Sequence, residues 1–172
     1  MSDIALLAHQ AEVFGAPPSD STVRRTLEAV DDTMLGRVAK ARAAARRRVW
    51  DLLALRPGGF PWLSVAGKIL TGWVVIDLDA TLITAHTAKS GAAVTFKKGF
   101  GFHPLGAWCA NTGESLARLL RPGNAGSNTV TDHIRVLTDA IAQLPPSLDF
   151  RAFVDLGCGF GPGLLDGADF GR

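Results

Sequence analysis

The run "GWVVIDLDATLIT", residues 72–84, constrains the fold more than any other part of the chain. It is β-branched and apolar at consecutive positions, the pattern of a strand inside a sheet covered on both faces. Two acids interrupt it. Side chains alternate along a strand, so Asp77 and Asp79 fall on one side, about 6.6 Å apart. Two carboxylates in an apolar strand are costly to bury without a cation to meet them. A divalent metal bound by hard oxygen ligands is one explanation, and solvated acids at a strand end are the other.

The neighbouring segments suit a mixed α/β sheet. "AAVTFKKGFGF" and "HPLGAWCA" read as two further strands with short Gly-bearing connections, and "SLARLL" as a weaker one before the loop "RPGNAGSN". Residues 129–144 form an amphipathic helix with Val130, Ile134, Leu137, Ile141 and Leu144 on its apolar side. Asn128 is the expected N-cap, and Pro145-Pro146 end the helix. "DFRAFVDL" is one more strand. If it lies beside residues 73–79, Asp155 and Asp79 converge at one end of the sheet.

Upstream, the chain is helical and basic. Ile4, Leu7, Ala8, Ala11 and Phe14 have helical spacing, and Gly15 followed by Pro17-Pro18 ends that segment. Ser19, Asp20 and Ser21 offer an N-cap for a second helix with Val23, Leu27 and Val30 on its apolar side. The pair reads as a helix-turn-helix presenting Arg24 and Arg25, or as an ordinary helical hairpin. A third helix over residues 32–55 has the stripe Leu35, Val38, Ala41, Ala45, Val49 and Leu52. Arg37, Lys40, Arg42, Arg46, Arg47 and Arg48 then point to water or to phosphates. "RPGGFP", 56–61, divides a helical region (residues 1–56) from the sheet-forming region (residues 60–172).

Net charge is only +2, so the local basic block says more than the average: such a block is usually a solvated helix face, and less often a nucleic-acid contact. Cys109 and Cys158 are isolated and lack metal-ligand spacing, as do His86 and His103. Free thiols, no leader peptide and no membrane-length apolar run predict a cytoplasmic protein with no membrane partner. Phe100, Phe102 and Trp108 read as core.

The strings "GWVVIDLDATL", "AAVTFKKGFGFHPLGAWCANTGESLARLLRPGNAGSNTVTDHI" and "VLTDAIAQLP" resemble the transposases of bacterial insertion sequences with a group 1 Asp-Asp-Glu (DDE) domain. "FGAPPSDSTVRRTLEAVDD" resembles the part preceding that domain. The resemblance implies a ribonuclease-H-like fold, Mg²⁺ held by three acids, and DNA at the element's ends as partner; it leaves a homo-oligomer open. It makes Asp79 the first catalytic acid and metal ligand, with Asp77 a neighbour, and Asp155 the second. Lys97, Lys98 and Arg121 become candidates for the DNA backbone beside Arg24, Arg25, Arg46, Arg47 and Arg48.

From about residue 147 the chain departs from the family pattern, and the downstream glutamate has no counterpart; Asp166 and Asp169 come too soon. The expectation is therefore a truncated transposase, inactive as given, or a non-catalytic DNA-binding remnant. "FVDLGCGFGPGLLD" also has the look of an S-adenosylmethionine-binding loop. Such a loop opens a fold whose other strands follow it, and only fifteen residues follow Gly157. Adenosylmethionine binding is thus the remote alternative.

Overall fold

A computed structural model describes residues 9–85, 90–126, 129–146, 151–156 and 163–165. In chain order the helices α1 (Ala11–Phe14), α2 (Asp20–Glu28) and α3 (Asp32–Ala54) come first. Strands β1 (Ser64–Val65), β2 (Lys68–Ile69), β3 (Trp73–Ala80), β4 (Ile83–Thr84), β5 (Ala93–Val94), β6 (Phe100–Phe102), β7 (Leu105–Cys109) and β8 (Glu114–Leu119) follow. Helix α4 (Val130–Ile141) precedes β9 (Arg151–Leu156) and β10 (Gly163–Leu165).

The apolar run forms the middle of a five-stranded sheet in the order β10-β9-β3-β7-β8. Strands β3, β7 and β8 are antiparallel neighbours. Strand β9 lies parallel to β3, as a strand does when a helical crossover such as α4 brings the chain back. Beyond Ala80 the β3–β7 ribbon continues through a bond from the Thr81 amide to the Pro104 carbonyl into a small sheet, β4-β6-β5. Strands β1 and β2 form a separate hairpin.

One face of the large sheet carries the core. Val74, Ile76 and Leu78 of β3, Leu105, Ala107 and Cys109 of β7, Leu116 of β8 and Val154 of β9 are buried there. Helix α4 covers them through Val136 and Ala140, and Trp50 of α3 packs on Phe60 with ring centroids 4.7 Å apart. The other face departs from the expectation of a strand covered on both sides. Val75 is buried there, but Trp73, Asp77 and Trp108 are half-buried and Asp79 is exposed. Arginines shield the two tryptophans: Arg151 stands 5.5 Å from the Trp73 ring and Arg118 stands 5.7 Å from Trp108.

Helix α3 turns a different face inward from the one expected, whereas α4 keeps part of its expected face, with Leu144, just past its end, in the core. In α4, Val130 and Ile134 are exposed; Val136 and Ala140 are buried, with Leu137 and Ile141 packed at the margin. Its N-cap is Thr129, without a side-chain capping bond, and Asn128 lies outside the described residues. In α3, Leu35, Val38, Val49 and Leu52 are exposed, and the buried residues are Arg46 and Trp50. Trp50 decides this orientation, because its indole buries the largest apolar area while its Nε1–H donates to Glu114 Oε1 at 2.8 Å.

The chain divides into two compact units, one ending at Ala41 and the other beginning at Arg42. The second half of α3 thus belongs with the sheet. Ser19 caps α2 as expected, its Oγ accepting from the Thr22 amide. Among the described residues of the first unit none is buried, and Leu27 is exposed. Residues 1–8, which carry Ile4, Leu7 and Ala8, lie outside the described residues. No described helix is long and apolar enough to cross a membrane.

Candidate metal centre and nucleic-acid interface

The acids of β3 stand on its open face. Asp79 is exposed and Asp77 half-buried. One Asp79 oxygen accepts from the Ala80 amide at 2.8 Å, which holds the carboxylate at the end of the strand. Across the ribbon Asp79 pairs with Gly106 and Asp77 with Trp108. Gly106 is required by packing: a Cβ there would lie 2.3 Å from the Trp108 indole, so the glycine admits the ring beside Asp79.

On the other side, Asp155 of β9 is the register partner of Asp77, with Asp79 two positions further along β3. Strand geometry puts the Cα atoms of directly paired neighbours about 4.8 Å apart, and those of Asp79 and Asp155 about 8 Å apart. Strands β3 and β9 are adjacent, so the three acids share one end of the sheet. Among the described residues no group of three His, Cys, Asp or Glu side chains could hold a metal ion.

A residue without any evident sequence signal positions β3. Buried Asn111 accepts from the Val75 amide at 2.9 Å and donates to the Trp73 and Pro61 carbonyls at 3.2 and 3.3 Å. It takes over the backbone pairing where β7 has turned away.

The basic residues separate into two kinds. Arg24, Arg25, Arg47, Arg48, Lys97 and Lys98 are exposed. Arg24 is partly occupied by Glu28 at 2.8 Å, an exposed pair of little energetic weight. Arg46 does not belong with them. Its side chain is buried; Nε donates to Glu114 at 2.9 Å, Nη1 to Gln143 Oε1 at 2.9 Å and Nη2 to the Ser115 carbonyl at 3.3 Å. Arg42 reaches the same carbonyl at 2.7 Å.

Arg121 is likewise turned inward. It donates to the His103 carbonyl at 2.9 Å and the Gly126 carbonyl at 3.0 Å, and pairs with Asp132 at 3.1 Å. These bonds tie the "RPGNAG" loop to β6 and α4. The phosphate-contact expectation therefore fails geometrically for Arg46 and Arg121, because neither guanidinium reaches the surface.

Lys97 and Lys98 belong to the five-residue connection, 95–99, joining β5 to β6. The Thr95 amide donates to the Gly99 carbonyl at 2.8 Å, and the Lys98 amide to the Thr95 carbonyl at 2.9 Å. Lys98 closes the loop at φ 61°, a left-handed position where glycine is usual and a lysine costs about 1–2 kcal/mol. His103, at the root of the hairpin, is structural: it is buried, with Nδ1 2.8 Å from the Ala125 carbonyl. Cys109 is a core thiol that burial pushes up from the usual thiol range. His86, Cys158, Asp166, Asp169 and the glycine-rich segment from residue 157 to 162 lie outside the described residues.

The family model for the transposase DDE domain, group 1, matches residues 6–155. The chain belongs to that family. No curated protein and no solved structure matches it. The transposase match takes in both the basic helices and the β3–β9 pair, and its last residue is Asp155. Membership makes DNA transposition the general function of the domain and DNA its partner.

Proposed function

We propose that this transposase domain has a ribonuclease-H-like sheet whose acids, Asp79 and Asp155, are those of metal-dependent DNA cleavage and strand transfer. The observation that carries the reading is the parallel β3–β9 pair, because it brings an acid from a distant segment alongside the acids of β3. The donors are carboxylate oxygens on adjacent strands, chemistry that fits Mg²⁺. A bound metal pair would activate the attacking hydroxyl and neutralise the leaving oxygen of the phosphodiester.

The chain's own residues contribute the rest. The Ala80 amide orients Asp79, and the Trp108 indole lies beside it. Arg47, Arg48, Lys97, Lys98, Arg24 and Arg25 supply positive charge for the DNA backbone. The register favours a second assignment within the same site, because Asp77, and not Asp79, stands directly opposite Asp155. Three acids in all are needed in the family, and two are proposed in these residues. We therefore expect a polypeptide of these 172 residues to bind DNA without cutting it.

Mn²⁺ titration followed by electron paramagnetic resonance tests the site. Asp79→Asn and Asp155→Asn should each weaken binding at least about tenfold, and Asp139→Asn on α4 should leave it unchanged. A larger loss from Asp77→Asn than from Asp79→Asn moves the first acid to Asp77. Equal affinity in all variants rejects the metal site.

The DNA arm is tested by the salt dependence of affinity. Each phosphate contact contributes roughly 0.9 to the slope of log K against log salt. Arg47→Ala with Arg48→Ala should therefore flatten it by about 1.8. Arg46→Ala should leave the slope alone, because its charge is already neutralised inside the fold. An unchanged slope in the double variant would make those two arginines a merely solvated face.

A further inference from the structure

The DNA reading leaves Phe96 unexplained. It is an aromatic side chain 72% exposed at the tip of the β5–β6 hairpin, followed directly by Lys97 and Lys98. Phe100 and Phe102 are partly sheltered on β6, as expected of packing residues. The Phe96 ring is 6.2 Å from that of buried His103, and the Lys97 ammonium stands 5.8 Å from its centroid.

The hairpin is held rigidly at its root. Buried Thr95 donates through Oγ1 to the Gly99 carbonyl at 3.3 Å. Gly101 and Gly123 let backbone approach where a Cβ would clash: a Cβ on Gly101 would fall 2.0 Å from the Ile83 carbonyl oxygen, and one on Gly123 2.4 Å from that of Ala93. His103 and Arg121 lock the adjoining loop. The ribbon bearing Asp79 leads directly into this small sheet.

We infer that Phe96 stacks on an unpaired or unstacked DNA base while Lys97 and Lys98 hold the flanking phosphates. The inference rests on the DNA-binding reading above. An exposed phenyl ring followed by two exposed lysines, the first with its ammonium near the ring, matches a polyanion that also offers π faces, and base–aromatic stacking is tolerant of sequence. Apolar side chains on such basic elements enter kinked or open steps and not intact stacks. The left-handed Lys98 keeps a charge where glycine would relieve the backbone.

The test uses the full chain and two DNA probes of the same sequence. One is fully paired; the other ends in a 3′ overhang bearing 2-aminopurine. Wild type should bind the overhang more tightly and quench the 2-aminopurine. Phe96→Ala should lose the quench and weaken overhang binding roughly tenfold, with affinity for the paired duplex and the salt slope unchanged. Phe96→Trp should restore the quench. Lys98→Gly should keep the quench and lower the slope by about 0.9.

Circular dichroism of each variant checks the fold, which an exposed tip should leave intact. If Phe96→Ala matches wild type on both probes while the lysine variants alter the slope, the stacking role is wrong and DNA binding stands. If wild type binds neither probe, both readings fall.

Discussion

Replacing Glu114 by alanine should cost about 3–5 kcal/mol of folding stability, enough to unfold much of a marginal domain at room temperature. Glu114 opens β8, and three donors converge on its carboxylate. Arg46 Nε reaches Oε2 at 2.9 Å; Trp50 Nε1 and Thr112 Oγ1 reach Oε1 at 2.8 and 3.0 Å. Truncation takes the counter-charge from a buried guanidinium and the Glu114 acceptor from the buried indole N–H, and each loss carries its own desolvation penalty. Gln143 and Ser115 still accept from Arg46, which keeps the figure from rising further.

Glu114→Gln separates the parts. It preserves an oxygen for Trp50 and Thr112 but removes the charge facing Arg46, so it should lose about half as much. Urea denaturation of Arg46→Ala, Glu114→Ala and the double variant closes the cycle. Coupling below about 0.5 kcal/mol would show that the pair is incidental to stability. Arg46→Ala and the Arg47/Arg48 double variant should dissociate cleanly. The first changes stability and not the salt slope, and the second does the reverse.

That dissociation also explains what could be read from the residues alone. Strands β3, β7 and β9 and helix α4 were evident, since each carries apolar residues in an unbroken run or at a helical period. The pairing of β9 with β3 was the condition on which Asp155 and Asp79 were expected to converge, and the sheet has that pairing. The inward face of α3 was not evident, because counting apolar residues gives an arginine no weight on a buried face. Arg46 lies inward because Glu114 and Gln143, 68 and 97 residues away, meet it there.

Arg121 is a second case: the resemblance made it a DNA-backbone contact, and Asp132 with the His103 and Gly126 carbonyls holds it inward. Strands β1, β2, β4 and β5 have two residues each, too few to show any period. Asn111 carried no signal because its role depends on where the backbone of β7 turns. The candidate site was read through the β3 acids and Asp155, whereas its register, with Asp77 opposite Asp155, needed the sheet.

The other large effect is expected at Gly101, and it joins fold to function. Gly101 is buried in the central strand of β4-β6-β5, paired with Thr84 on one side and Ala93 on the other. A Cβ there would meet the Ile83 carbonyl oxygen at 2.0 Å, with the Ala85 amide nitrogen at 3.1 Å. Both are backbone atoms, so no side-chain rotation relieves the clash and β4 must move away from β6. Overpacking a core usually costs about 1–3 kcal/mol, and a backbone clash belongs at or above the top of that range.

The consequence for DNA is specific. Separation of β4 from β6 loosens the hairpin that carries Phe96, Lys97 and Lys98, without touching any of the three. Gly101→Ala should therefore flatten the salt slope toward that of a Lys97/Lys98 double variant, while the Arg47 and Arg48 contribution persists. Its circular dichroism should keep the helices of α3 and α4, which pack elsewhere. The comparison that decides is Gly113→Ala, at the β7–β8 turn, where positive φ strains an alanine but nothing lies within 4 Å of the added Cβ. If Gly113→Ala lowers the salt slope as much as Gly101→Ala does, the effect is general destabilisation, and the rigid seat of the hairpin has no part in binding.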